Sequence, residues 1–138
     1  MAKTIYPLPG AIHSGGFAGK LSFSSAVSAD SGKTLYISGQ MARDDALQLI
    51  GKGDIRVQTR QTLVNIGKIL TKAGGTFADI VKVTVYVKDM TQFREIHDVR
   101  LEFFHEDHLP ASTMVEISRF TLEDALIEIE AVAVIGGG

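Results

Sequence analysis

Glu128 and Glu130 stand two apart in the run Ile127-Glu128-Ile129-Glu130-Ala131, and paired carboxylates permit acid–base chemistry. On an extended strand they share one face about 6.5–7 Å apart, a separation that glycoside hydrolysis also uses. Nothing else in the chain suggests a sugar cleft, so Glu130 reads better as an interface or hydrogen-bonding acid. A carboxylate partly withdrawn from water has a raised pKa and becomes a proton carrier. His97 and Arg100 are three apart, hence on one face of a helix. With Phe93 and Phe104 they would line a cleft offering one cation and one titratable group. The plainer expectation is that Arg100 makes a surface ion pair and His97 is a satisfied, partly buried residue. His105 and His108 flank Glu106 and Asp107, but with no Cys and no third His at a convincing spacing, no metal is expected. No Gly-rich phosphate loop, serine nucleophile elbow or His-Glu-x-x-His motif occurs.

Positioning these groups falls to a chain of 138 residues, a length that predicts one domain over 1–138. Its hydrophobic fraction of 45% and charged fraction of 22% are those of a globular protein. The net charge of −2 gives no electrostatic footprint for nucleic acid, so no nucleic-acid partner is expected. Cysteine is absent, which excludes disulfides, thiolate zinc sites and a Cys nucleophile. No apolar run is long enough to cross a membrane and the N-terminus lacks a signal-peptide core, so a cytoplasmic protein is expected.

Residues 1–20 read as a loop-rich N-terminal segment and Gly136-Gly137-Gly138 as a flexible tail. A strand is expected around Leu21–Val27 and another at Thr34–Ile37 after the turn Ser31-Gly32-Lys33. Asp54 is a candidate N-cap, Leu63, Ile66 and Leu70 recur at helical steps, and Gly74-Gly75 supplies a stop, so Asp54–Ala73 predicts a helix. In Ile80–Lys88 four Val residues alternate with Lys82, Thr84, Tyr86 and Lys88, giving a strand with an all-Val face. A second helix is expected at about Thr91–Glu106, stopped by Pro110. Strands at Ser112–Arg119 and Leu126–Ile135 complete an α+β layer, a mixed sheet with two long helices on one face.

Two helices cannot cover both faces of that sheet. Ile127, Ile129, Ala131 and Ala133 would meet the helices, joined by Val115 and Ile117. Glu128, Glu130, Val132 and Val134 would face away, with Ser112, Met114 and Glu116 beside them. A surface this apolar and this acidic is either a solvated sheet face or an oligomer interface holding a polar pocket.

Several stretches resemble the Rid (reactive intermediate deaminase, YjgF-like) family. They are Ile37-Ser38-Gly39-Gln40, Gly53-Asp54-Ile55 with Gln58-Thr59-Arg60-Gln61, Asp79 through Met90, Pro110-Ala111, and Ile127-Glu128-Ile129-Glu130-Ala131. The match runs from about Ser24 to Val134 in order. It implies a chorismate-mutase-like protomer, a homotrimer, and ligand clefts between neighbouring subunits. It also implies hydrolysis of enamines and imines without metal or cofactor. Residue by residue, the resemblance makes Glu128 the catalytic acid that positions water, and Ser38 and Gly39 a substrate-contacting backbone segment. Phe23 falls where many members have Tyr, and His97 where deaminases commonly carry Asn.

Active deaminases have an Arg after the Pro-Ala pair, and this chain has Ser112. A Ser hydroxyl cannot imitate a guanidinium fork on a carboxylate. His97, Ser112 and Thr113 would then shape the anchor for a small-molecule ligand, itself expected to be a carboxylate. Placing Arg at position 112 is expected to give partial gain of activity on short keto-acid imines. The leading expectation is a Rid-like hydrolase of altered specificity. The alternatives are a non-catalytic trimeric ligand-binding or chaperone-like protein and an endoribonuclease or translation inhibitor.

Overall fold

The computed structural model describes residues 3–8 and 21–136. Met1 and Ala2, residues 9–20 of the expected loop-rich segment, and Gly137 and Gly138 of the expected tail lie outside them.

The helix α1, Ile55–Ala73, is built as its sequence predicts. Asp54 is extended and its side chain accepts from the Val57 N–H at 3.1 Å, satisfying one of the orphan donors at the helix start. Gly74 is left-handed at φ 83°, and the Gly75 N–H closes back to the Leu70 carbonyl at 2.8 Å. The stripe Ile55, Leu63, Ile66 and Leu70 is buried, and Gln58 is buried with it. Its amide donates to the Gly51 and Asp124 carbonyls and accepts from the Leu126 N–H, so α1 is pinned to the chain entering the last strand.

The main sheet contains β3 (Lys33–Gln40), β4 (Ile80–Val87), β5 (Ala111–Glu116) and β6 (Ile127–Ile135), in the spatial order β3-β6-β4-β5. The pair β4–β5 is parallel and joined through α2 (Phe93–Arg100), while the other pairs are antiparallel. Both helices pack on the face formed by Ile127, Ile129, Ala131, Ala133, Val83, Val85 and Val87, all buried. The all-Val face of β4 is interrupted at its start. The register shifts between Ile80 and Lys82, so Ile80 occupies the core position and Val81 is only half-buried. A separate antiparallel ribbon pairs β1 (Lys3–Tyr6) with β2 (Ala26–Ala29). The Lys3 ammonium ties it to the body by donating to the Ala78, Ile80 and His108 carbonyls.

Three expectations need correction. The strand expected at Leu21–Val27 is displaced to β2, and at Ser24 only a single bridge to Ala111 forms. The second helix is half the expected length, because a short 3₁₀ turn at Met90–Gln92 precedes it and irregular turns follow Arg100. The facing of β5 is inverted. Its register pairs Val83 with Ser112, Val85 with Met114 and Val87 with Glu116, and paired residues of parallel strands point the same way. Ser112, Met114 and Glu116 therefore face the helices, and Val115 is 37% exposed on the other side. The sequence holds two adjacent apolar residues, Met114-Val115, so either phase satisfies the alternation; pairing with β4 decides it. Glu116 has a task on the helical side, accepting from the Met90 N–H at 2.9 Å at the start of the 3₁₀ turn.

Candidate functional site

The predicted site residues separate into two groups on opposite faces of the sheet. On the outer face, the β3–β6 register slips by one residue between Ile37 and Gln40. Ile37 pairs with Ala131 and Gln40 with Ile129, so Ser38 and Gly39 together oppose Glu130. Such a bulge frees backbone groups from the ladder and bends the strand. The Ser38 carbonyl is taken by the Gln40 amide at 3.0 Å. A Cβ on Gly39 would lie 2.5 Å from Glu128 Oε2, so the carboxylate rests directly over the glycine backbone. Any larger residue would push it away.

Glu128 is half-buried and receives no hydrogen bond from any described residue. Desolvation pushes its pKa up, and the negative charge of Glu130 pushes it further, with Arg43 opposing. Glu130 differs although it lies on the same strand face, because the Tyr86 hydroxyl donates to it at 2.6 Å. One acid is therefore engaged and the other available. Thr113 also lies on this face, where its hydroxyl accepts from the Lys82 ammonium at 2.7 Å. The structure does not bring Thr113 to His97 and Ser112 within one protomer.

On the helical face, Phe23, His97 and Ser112 line one cavity of about 170 Å³. Ser22 and Phe23 reach it because the neighbouring Ser24 locks onto the β5 entry, its N–H donating to the Pro110 carbonyl at 2.7 Å and its hydroxyl to the Leu109 carbonyl at 2.6 Å. His97 is 6% exposed, with Nδ1 3.0 Å from the Ser22 hydroxyl. Met90, Phe93 and Met114 supply apolar wall.

Arg100 lines the same cavity and is 2% exposed. The expected surface ion pair is absent: among the described residues no carboxylate lies within salt-bridge distance of it. Its guanidinium carbon sits 6.0 Å from the ring centres of both Phe23 and Phe104, and Nη2 donates to the Ser22 carbonyl at 3.3 Å. Burial alone pushes its pKa down to about 10, which leaves it cationic at neutral pH. The spacing of Phe93, His97 and Arg100, by four and three, is the signal that one inward stripe of α2 contains them, whereas Phe104, expected to line the cleft with them, falls in the turns beyond the helix and does not line the cavity. His105 and His108 lie exposed outside both groups, and no cluster of three metal-ligating side chains forms among the described residues.

The endoribonuclease L-PSP family model matches residues 17–135. A RutC family protein of Pyrococcus horikoshii is 48% identical over 111 residues, spanning 80% of this chain and 85% of the relative. A 2-iminobutanoate/2-iminopropanoate deaminase of Bos taurus is 36% identical over 114 residues, spanning 83% of this chain and 80% of the relative. Among solved structures, a Rid-family protein of Yersinia pestis, YyfB, superposes with a TM-score of 0.86 at 31% identity, covering 98% of this chain and all of that one.

Proposed function

The chain belongs to the endoribonuclease L-PSP family, the family of the RutC and Rid proteins, and from that premise we propose that it is a hydrolase that deaminates small enamines or imines. The observation that carries the reading is the Glu128 carboxylate: half-buried, raised in pKa, unclaimed by any described donor and resting over Gly39. Such a group is a base for water and then an acid for the leaving amine. An enamine tautomerises to its imine, and Glu128 takes a proton from water as oxygen adds to the imine carbon. The protonated nitrogen then leaves as ammonia when the carbonyl forms. Each imine consumes one water and yields one ketone and one ammonia, and no step calls on a cofactor. At the bulge the Gly39 backbone, beside Glu128, faces the substrate in this proposal, with the Ser38 carbonyl held by the Gln40 amide.

The site extends across a subunit boundary in this proposal. Glu128 and Ser112 lie on opposite faces of one sheet and cannot grip the same small molecule within a protomer. The outer face carries Tyr36 at 78% exposure with Val115 and half-buried Val132 and Val134, a surface suited to association. Three copies would close the clefts by setting the outer face of one against the cavity mouth of the next. We place the protein in the cytoplasm, a reading supported by the cysteine-free sequence. Among the described residues no helix is long and apolar enough to cross a membrane.

The test is ammonia release from a panel of 2-imino acids generated in situ by an amino-acid oxidase, with sedimentation velocity on the same sample. A trimer whose rate exceeds buffer and falls at least about a hundredfold in Glu128→Gln is expected. A trimer that binds these compounds and leaves their decay at the buffer rate would make it a ligand-binding protein instead.

A further inference from the structure

We propose that Arg100, reaching the cavity from α2, is the anion anchor of this site, and that the ligand it selects is a small carboxylate with an apolar side chain. The Arg100 charge is uncompensated among the described residues. A guanidinium has five N–H donors, and one hydrogen bond, to the Ser22 carbonyl, accounts for a single one of them. Buried cations are ordinarily paired with acids, and Arg100 has none among the described residues. Its place in the last turn of α2 and the faces of Phe23 and Phe104 offset part of the cost of burial. Neither occupies the fork of in-plane donors, whose geometry matches a carboxylate.

The rest of the cavity narrows the ligand. Ser112 and Ser22 add small polar groups, whereas Phe93, Met90 and Met114 form an apolar wall. A volume of about 170 Å³ is below the range that holds drug-sized ligands, so the part of a ligand seated beside Arg100 is small. A short carboxylic acid with an aliphatic chain fits. Ser112 belongs to this arrangement because a long cation at that position would occupy the space that the ligand needs, beside a charge of the same sign. Recognition thus comes from the helix, and the strand leaves room.

This inference rests on the deaminase reading for what becomes of the ligand, and its test measures capture alone. Calorimetric titration of the full-length protein would use 2-oxobutanoate, the keto acid left by hydrolysis of 2-iminobutanoate, and its uncharged counterpart 2-butanone. The wild type is expected to bind the carboxylate at least about tenfold more tightly than the ketone. Arg100→Met, which replaces a buried charge with an apolar group of similar length, is expected to weaken carboxylate binding about ten- to hundredfold without changing ketone binding. Ser112→Leu, which fills the cavity and leaves the cation in place, is expected to weaken both. Equal binding of the two probes by the wild type, no carboxylate binding at all, or full affinity in Arg100→Met would each overturn the proposal. Carboxylate capture without ammonia release would leave the anchor standing and remove the deaminase reading; turnover insensitive to Arg100 would do the reverse.

Discussion

The two faces of the sheet treat charge in opposite ways. On the outer face an acid, Glu128, stays half in water over a glycine, and its pKa is raised by desolvation and a neighbouring acid. Under α2 a cation, Arg100, is removed from water and keeps its charge. The first environment suits a group that must change protonation state during a reaction. The second suits a group that must not, because a buried guanidinium exerts its field on a ligand with little solvent screening. If both faces serve one reaction, chemistry belongs to the wetter side and recognition to the drier one.

The sharpest test of that division compares Glu128→Gln with Arg100→Met. The acid variant is expected to lose at least about a hundredfold in kcat with keto-acid affinity changed less than about twofold. The cation variant is expected to raise KM about ten- to hundredfold with a smaller effect on kcat. Equal losses in one parameter from both would collapse the distinction. Stability gives a second reading of the acid. Because folding raises the Glu128 pKa, the folded state disfavours its charged form, so the penalty is present above the folded pKa and absent below the unfolded one. Glu128→Gln should therefore be slightly more resistant to urea than wild type at pH 7, and the gap should close below about pH 4.

The next largest effect concerns position 112. Sequence resemblance alone leads one to expect that Ser112→Arg gains activity on short keto-acid imines. With Arg100 lining the same cavity, the single change sets two guanidinium groups together, and keto-acid affinity is expected to fall about tenfold. The double change Ser112→Arg with Arg100→Ser should recover most of that loss, since it returns one cation to one cavity. A gain of affinity from the single change would mean that Arg100 does not reach the ligand.

What the sequence reveals depends on how many phases a segment can satisfy. Helix α1 is legible because Asp54, its inward stripe and Gly74 all mark one register. Strand β6 is legible because Ile127, Ile129, Ala131 and Ala133 alternate with side chains that cannot share their face, which also places Glu128 outward. Strand β5 is ambiguous, because Met114 and Val115 are adjacent and its facing is set by a partner strand about thirty residues away. Burial of Arg100 is hidden for another reason: Arg is ordinarily a surface residue, and the stripe it shares with Phe93 and His97 becomes informative only once the inward side of α2 is known. The N-terminal ribbon is the least legible, since β1 has only four residues and is held by Lys3 reaching carbonyls more than seventy residues away.

Gly39 probes the outer face with a smaller perturbation. Gly39→Ala puts a methyl where Glu128 Oε2 now lies, and the carboxylate is the flexible end of a side chain, so it can swing away cheaply. Ammonia release should drop about tenfold as the base loses its alignment, while the melting temperature moves by less than about 3 °C. A large loss of stability would mean that Gly39 serves the fold and that the closeness of Glu128 is incidental.

The smallest effect is a shift of pH dependence. If Glu128 works as a base, activity falls as the pH drops through its pKa, and that acid limb lies above the position of an ordinary carboxylate. Glu130 contributes to the displacement through its negative charge, so Glu130→Gln should move the limb toward lower pH while the plateau rate stays within about twofold. The same substitution leaves the cavity under α2 untouched, and keto-acid affinity at neutral pH should not respond. A limb that stays in place would assign the raised pKa to burial alone, and a change in affinity would show that the two faces are electrostatically coupled through the sheet.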